Sequence, residues 1–230
     1  MPSAALSAAL FGAALALSPA YGQSAPPVSA VVDADILPDT VTLALAAINR
    51  ELKRLPPQSG RFSQVLPTGG VAQGSYLMDW PERLRFAYTA HVDGEYEDEF
   101  GGERGDAGVV TVRGEFVAVQ DTPRAEPNWF PVSLTPLAVL RRAAAQGIQP
   151  AMVTAYQDEP DFLALTLHDP KGDLPGMATL YFSKPDFQLY AWRLVDVQNL
   201  VTQIRLYRER LYDEMPAHMF HIDYDEPDEE

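Results

Sequence analysis

Two hydrophobic periods divide this chain. Between residues 39 and 55, Val41, Leu45, Ile48, Leu52 and Leu55 recur at helical spacing, while Asn49, Arg50, Lys53 and Arg54 fall on the other side. The pattern predicts an amphipathic helix lying on a surface, with Asp39 or Thr40 as its cap and Pro56-Pro57 as its stop. From Arg61 the period becomes two: Tyr76, Met78 and Trp80 alternate with Leu77 and Asp79, and Leu84, Phe86 and Tyr88 with Arg83, Arg85 and Ala87. Val110 and Val112 share one parity, and extended runs follow at residues 116–119, 162–167, 178–182, 189–195, 201–207 and 219–224. Gly69-Gly70, Asp169-Pro170-Lys171-Gly172, Pro185-Asp186 and Gln198-Asn199 punctuate them. Adjacent strands joined by turn-length links imply an antiparallel meander and not β-α-β crossovers.

One interruption breaks the meander. Thr135 reads as a cap, Pro136 as the first helical residue, and Leu137, Val139, Leu140 and Ala144 as one apolar side of a short helix ended by Gly147 and marked by Arg141-Arg142. The expectation is eight to eleven strands with one N-terminal and one central helix. A single curved antiparallel sheet wrapped around the helices is the economical solution, and a plain sandwich with surface helices is the competing architecture.

Charge changes the picture less than its total suggests. The 230 residues carry 17 Lys and Arg against 32 Asp and Glu, a formal charge of −15. Residues 93–106 hold −6 of it and residues 209–230 hold −8, so the remainder is within one charge of neutrality. This is an acidic insertion and an acidic C-terminal stretch on a nearly neutral body, which argues against nucleic-acid binding. At 47% apolar and 10% aromatic the chain has the material for a core. With no cysteine it has neither disulfides, thiolate metal sites nor a cysteine nucleophile.

The first segment reads as an address. Residues 4–17 are uncharged and rich in Ala and Leu, too short to span a bilayer, and small residues follow at Ala20 and Gly22. Residues 1–22 are therefore expected to be an export signal, although Met1-Pro2-Ser3 lacks a basic residue, and the competing reading is a buried N-terminal helix. The Pro-punctuated residues 23–38 form a linker, residues 39–224 the folded domain and residues 225–230 an acidic tail.

Candidate chemistry is sparse. His218 and His221, with Asp213, Asp223 and Asp225 near in sequence, offer no recognised zinc spacing, and a solvated pair is the better reading. The Gly-x-Ser-x-Gly and phosphate-loop motifs are absent, and the acids Asp158, Glu159 and Asp173 sit beside Pro or Gly in turns. Neither an enzyme nor a cofactor or metal is expected.

The ordered motifs carry more. Phe62-Ser63-Gln64 follows the first helix; Gln73-Gly74-Ser75-Tyr76-Leu77 leads to Trp80-Pro81-Glu82-Arg83-Leu84-Arg85-Phe86-Ala87-Tyr88. Val110 to Gly114, Pro136-Leu137-Ala138-Val139-Leu140, Leu165-Thr166-Leu167 with Pro170-Lys171, Asp196 to Asn199 with Thr202 to Leu206, and Pro216 with Phe220 complete the series. In this order they resemble the LolA family of periplasmic outer-membrane lipoprotein carriers. The resemblance spans about residues 41–224. It implies an incomplete antiparallel β-barrel, a half-barrel, whose helices form a lid over a hydrophobic cavity for acyl chains. Two features depart from the family: Trp80 stands where it has Arg before Pro, and residues 93–106 replace a short loop.

The expected function is a monomeric periplasmic carrier of acylated lipoproteins or lipids, receiving cargo from an inner-membrane lipoprotein-releasing transporter and passing it to an outer-membrane lipoprotein acceptor. Given the cavity and lid that the resemblance implies, strand parity picks Tyr76, Met78, Leu84, Phe86, Tyr88, Leu165, Leu167, Tyr190, Trp192 and Leu194 as the lining, and Leu137, Val139 and Leu140 of the central helix are the lid candidates. Trp80 and Arg85 are the rim and handoff candidates; Trp80 is equally readable as plain core, and Arg85 falls on the parity opposite Leu84 and Phe86. Two other functions fit the same fold: a carrier of another lipid or glycolipid, and a sensing module that detects mislocalised lipoproteins through a partner. A sensor is expected to bring a second domain, and only six acidic or proline residues follow Tyr224, which favours a stand-alone carrier.

Overall fold

The computed structural model describes residues 37–89 and 106–224. Residues 1–36, 90–105 and 225–230 lie outside it, and with them the expected export signal, most of the linker, nearly all of the acidic insertion and the tail. Helix α1, Asp39–Arg54, buries Val41, Leu45, Ile48 and Leu52, the spacing its sequence predicts. Its start differs from expectation: Pro38 takes the cap position and no side chain caps the helix, while Asp39 in the first turn and Lys53 and Arg54 in the last complement the helix dipole.

Eleven strands follow among the described residues. Strands β1 (Gln58–Val65), β2 (Val71–Asp79), β3 (Arg83–Thr89), β4 (Asp106–Arg113), β5 (Phe116–Gln120) and β6 (Asn128–Pro131) form one meander. Helix α2, Leu137–Gln146, lies between two short 3₁₀ turns, and β7 (Val153–Asp158), β8 (Phe162–Leu167), β9 (Met177–Ser183), β10 (Leu189–Val195) and β11 (Val201–Leu211) form a second meander. The order in the sheet is β6-β5-β4-β3-β2-β1-β11-β10-β9-β8-β7, with every pairing antiparallel. The first and last strands therefore meet in the middle of the sheet. The two edges, β6 and β7, are consecutive in sequence and joined through α2.

Both helices lie on one face of this sheet. Their buried side chains belong to a single apolar cluster with Phe62, Met78, Leu84, Val112, Val119, Leu165, Phe182, Trp192 and Ile204, the inward parity of successive strands. The architecture is the expected incomplete barrel around helices. A plain sandwich does not describe it.

Close backbone approach fixes the sheet centre. A Cβ on Gly60 in β1 would lie 2.1 Å from the Tyr207 carbonyl oxygen of β11, and one on Gly74 in β2 2.0 Å from that of Ala87 in β3. Register shifts at Ser59/Gly60, so the bulge and the missing side chain coincide.

Two sequence expectations are corrected, and two strands are added to the pattern. Residues 219–224 are not a strand: Ala217–Phe220 forms a 3₁₀ turn and Tyr224 makes one isolated bridge with Arg124. This C-terminal segment straps the outer face of β3–β5, where the Gln120 amide donates to the Asp223 carbonyl at 2.7 Å and the Arg83 guanidinium donates to the Met215 carbonyl at 2.9 Å and lies 4.8 Å over the Phe220 ring. Thr135 does not cap α2; its hydroxyl donates to the Val132 carbonyl at 2.9 Å inside the preceding turn, and Pro136 holds the cap position. Strands β6 and β7 are absent from the sequence pattern: β6 is four residues ending at Pro131, and β7 lacks a clean polar alternation because Gln157 is buried.

Substituting Gly60→Ala forces the β1–β11 seam apart and is expected to lower unfolding free energy by roughly 3 kcal/mol in urea titrations. Gly70→Ala, whose added Cβ meets nothing closer than 3.6 Å, serves as the control and is expected to change it by less than about 0.5 kcal/mol.

Candidate functional site: two tethered helices over an apolar interior

The site is the inward face of the sheet together with the helices that fill it. Of the ten side chains nominated as lining, Tyr76, Met78, Leu84, Phe86, Tyr88, Leu165, Leu167, Trp192 and Leu194 lie in the interior cluster. Tyr190 does not. The β10–β9 register shifts between Leu189 and Ala191, so Tyr190 turns outward and packs with Ala164, Tyr181 and Ala191 on the convex face. Arg205 there lies 5.3 Å from the Tyr190 ring. A bulge inverts parity for the residues on one side of it, which simple alternation cannot anticipate.

Aromatic rings organise the interior. Phe62 meets Phe86 and Tyr88 edge-on at 5.0 and 5.1 Å, and Phe86 lies 6.3 Å from Tyr76 and 6.2 Å from Trp192. Burial pushes the Tyr76 hydroxyl up to about 12, with Arg208 opposing and Glu209 adding to the shift. Burial pushes Tyr88 up as well, and its hydroxyl donates to Gln64 Oε1 at 2.5 Å. Both stay neutral across ordinary pH, as an apolar interior requires.

The nominated lid residues Leu137, Val139 and Leu140 are buried in the same cluster. The adjacent pair Arg141-Arg142 reaches in two directions. Arg141 donates to the Gly114 carbonyl of the β4–β5 turn at 2.6 Å and approaches Glu82 of the β2–β3 turn at 3.4 Å. Arg142 donates to Asp169 Oδ1 of the β8–β9 loop at 2.6 Å. Helix α2 is thus tied to the turns of both meanders. Asn49 ties α1 to the chain leaving α2: its side-chain amide donates to the Ile148 carbonyl at 3.0 Å and its oxygen accepts the Ile148 N–H at 2.7 Å. Gly147, at φ 83°, makes the turn that presents Ile148, and a Cβ there would lie 3.3 Å from the Asn49 side chain.

Asp169 is only 1% exposed. Burial alone pushes its carboxyl up, but the Lys171 N–H, the Arg142 guanidinium and the Leu174 N–H outweigh that and hold it below the usual carboxylate range. The Asp173 N–H donates to it as well, at 2.9 Å. In the sequence, Asp169-Pro170-Lys171-Gly172 reads as a turn and Asn49 as a solvated polar residue. The only signal for their roles is a polar residue amid the helix and a loop Asp followed by Pro and Gly.

Trp80 is 9% exposed and packed into the interior cluster beside the β2–β3 turn. Arg85 stands apart from the site: it lies mid-strand on the convex face, in register between Leu77 of β2 and Thr111 of β4. A cleft of about 60 Å³ lined by Leu52, Phe187, Leu189 and Arg208 at the end of α1 is far below the volume of a lipid site. Among the described residues no cluster of three or more His, Cys, Asp or Glu is placed to hold a metal, and no helix is long and apolar enough to cross a membrane.

No family model and no curated protein matches this chain. Solved structures similar to it include an uncharacterized conserved protein from Thermus thermophilus, at 8% identity over 79% of this chain and 93% of that one, with a TM-score of 0.43. A LolA superfamily protein from Nitrosomonas europaea aligns at 13% identity over 78% of this chain and 96% of that one, with a TM-score of 0.40.

Because the folded-state Asp169 carboxyl is depressed, its contribution to stability is fully present above its unfolded value of about 3.9 and is lost as pH falls through the folded value. Asp169→Asn is expected to cost about 1–3 kcal/mol at pH 7 by leaving Arg142 unpaired, and to show a shallower acid loss than wild type when urea titrations are repeated down to pH 3.

Proposed function

We propose that this protein is a carrier that shelters the acyl chains of lipoproteins while they cross the periplasm, taking them from an inner-membrane releasing transporter and delivering them to an outer-membrane acceptor. One observation carries the reading. The apolar interior of an open sheet is filled by two helices, and polar ties from Asn49, Arg141 and Arg142 join those helices to each other and to the frame. Since α2 is the link between the free edges β6 and β7, it can swing out with no strand leaving the sheet. What it uncovers is an apolar trough with the span of the strands. The motif series from Phe62 to Phe220 supports the same reading.

The energetics fit such a task. Each methylene exposed to water costs about 0.8 kcal/mol, and a triacylated anchor bears some 40 of them, so free passage through water costs on the order of 30 kcal/mol. Apolar contacts are non-directional and accept chains of different length. Filling the trough with the protein's own Leu137, Val139 and Leu140 keeps the empty carrier soluble. Displacing them exchanges one apolar occupant for another at little net cost, which permits release. Trp80 serves as the packing element at the rim.

Incubation with spheroplasts is the direct test: the protein is expected to release lipoproteins into the medium, each in a complex resolvable by native mass spectrometry. Co-purification with free lipid alone would replace the lipoprotein reading with that of a lipid carrier, and a protein that binds no acyl chain would overturn both. Asn49→Ala removes two hydrogen bonds of the closed lid without touching the interior. It is expected to bind an acyl probe such as a fluorescent fatty acid several-fold more tightly in titrations, because opening costs less.

A further inference from the structure

Three buried polar atoms of the interior are unpartnered among the described residues: Tyr76 Oη, Trp192 Nε1 and Trp80 Nε1. Tyr76 is 1% and Trp192 0% exposed, and each lies against Phe86, at 6.3 and 6.2 Å, from strands on opposite sides of the β1–β11 seam. The neighbouring Tyr88 shows what a satisfied interior hydroxyl looks like, bonded to Gln64. Phenylalanine at either position would fill apolar space without a stranded donor, and a stranded donor in a dry interior is costly.

We propose that Tyr76 and Trp192 are the recognition donors of the trough, pairing with the carbonyl oxygens of a neutral acyl ester once the helices move aside. The inference rests on the carrier reading and deepens it, because it specifies an acylated ligand over a bare hydrocarbon. The chemistry selects the ligand. Both groups donate, and the indole N–H can only donate, so the ligand presents acceptors. Burial keeps the Tyr76 hydroxyl protonated even against the opposing charge of Arg208, and a phosphate or carboxylate carried into the apolar interior would lose its hydration, so an uncharged acceptor is favoured. It sits among Phe62, Phe86 and the aliphatic wall, so it is attached to long apolar chains. An acyl carbonyl meets all three conditions, and its position also sets how deep the chains lie.

The test compares 1,2-dioctanoylglycerol with the dialkyl ether of matched chain length, which lacks the carbonyls. Wild type is expected to bind the ester about tenfold more tightly. Tyr76→Phe and Trp192→Phe are each expected to cut that ester-to-ether ratio about threefold, while Tyr181→Phe, on the convex face, leaves it unchanged. Tyr76→Phe is also expected to raise the melting temperature of the empty protein, since it deletes an unpaired hydroxyl. A purely packing residue would not lose ester preference while gaining stability. Equal binding of ester and ether by wild type, or an ester preference that survives in both variants, would overturn the inference and leave the carrier reading standing. Binding of neither probe would overturn both.

Discussion

The whole arrangement depends on covering one apolar surface. An eleven-stranded antiparallel sheet presents an inward face built from Phe62, Met78, Leu84, Phe86, Leu165, Phe182 and Trp192, and no second sheet packs on it among the described residues. Such a face cannot remain in water, since each large side chain left exposed forfeits about 1.5–3 kcal/mol. The chain solves this with α1 and α2, whose apolar stripes face the sheet and whose polar sides do not. Helix α2 does so as the link between the two edge strands, and α1 as the segment that leads into the central strand β1.

The polar ties are distributed in a way that suits reversible filling. They run from the helices to turns and to the chain leaving α2, not into the interior. Arg141 holds the side formed by the first meander, Arg142 the side formed by the second, and Asn49 joins the two helices to each other. Each is a directional contact near water, where an exchange of partners is cheap. Only Asp169 is deeply buried, and it accepts from its own loop's backbone N–H groups as well as from Arg142.

Much of this is legible in the sequence because the relevant signals are local. Leu84, Phe86 and Tyr88 alternate cleanly with Arg83 and Arg85, and Val41, Leu45, Ile48 and Leu52 define a single helical stripe, so parity and period alone send them inward. The rest depends on relations that no local window contains. A bulge at Leu189/Ala191 turns Tyr190 outward. Phe220 looks like part of a strand, yet it is held beneath Arg83, far away in sequence. Thr135 has the composition of a cap, but its hydroxyl finds the Val132 carbonyl instead. The strand β6 ends at a proline, which is tolerated because it is an edge. Asn49 and Asp169 read as solvated because their partners, Ile148 and Arg142, are brought to them only by the tertiary fold.

The seam between β1 and β11 has a kinetic consequence. Each meander pairs strands that are consecutive in sequence, over connections far shorter than the chain that separates β1 from β11. Joining them brings together residues about 150 positions apart, as in the Arg61–Glu209 and Ser59–Tyr212 contacts, at a loop-closure cost on the order of 4 kcal/mol beyond that of a short hairpin. High contact order of this kind slows the union of the halves. Until it occurs, each half-sheet offers a bare apolar face and an unpaired central strand, β1 on one and β11 on the other. The most aggregation-prone edges of the folding chain are therefore the ones that end up most deeply inside the finished sheet.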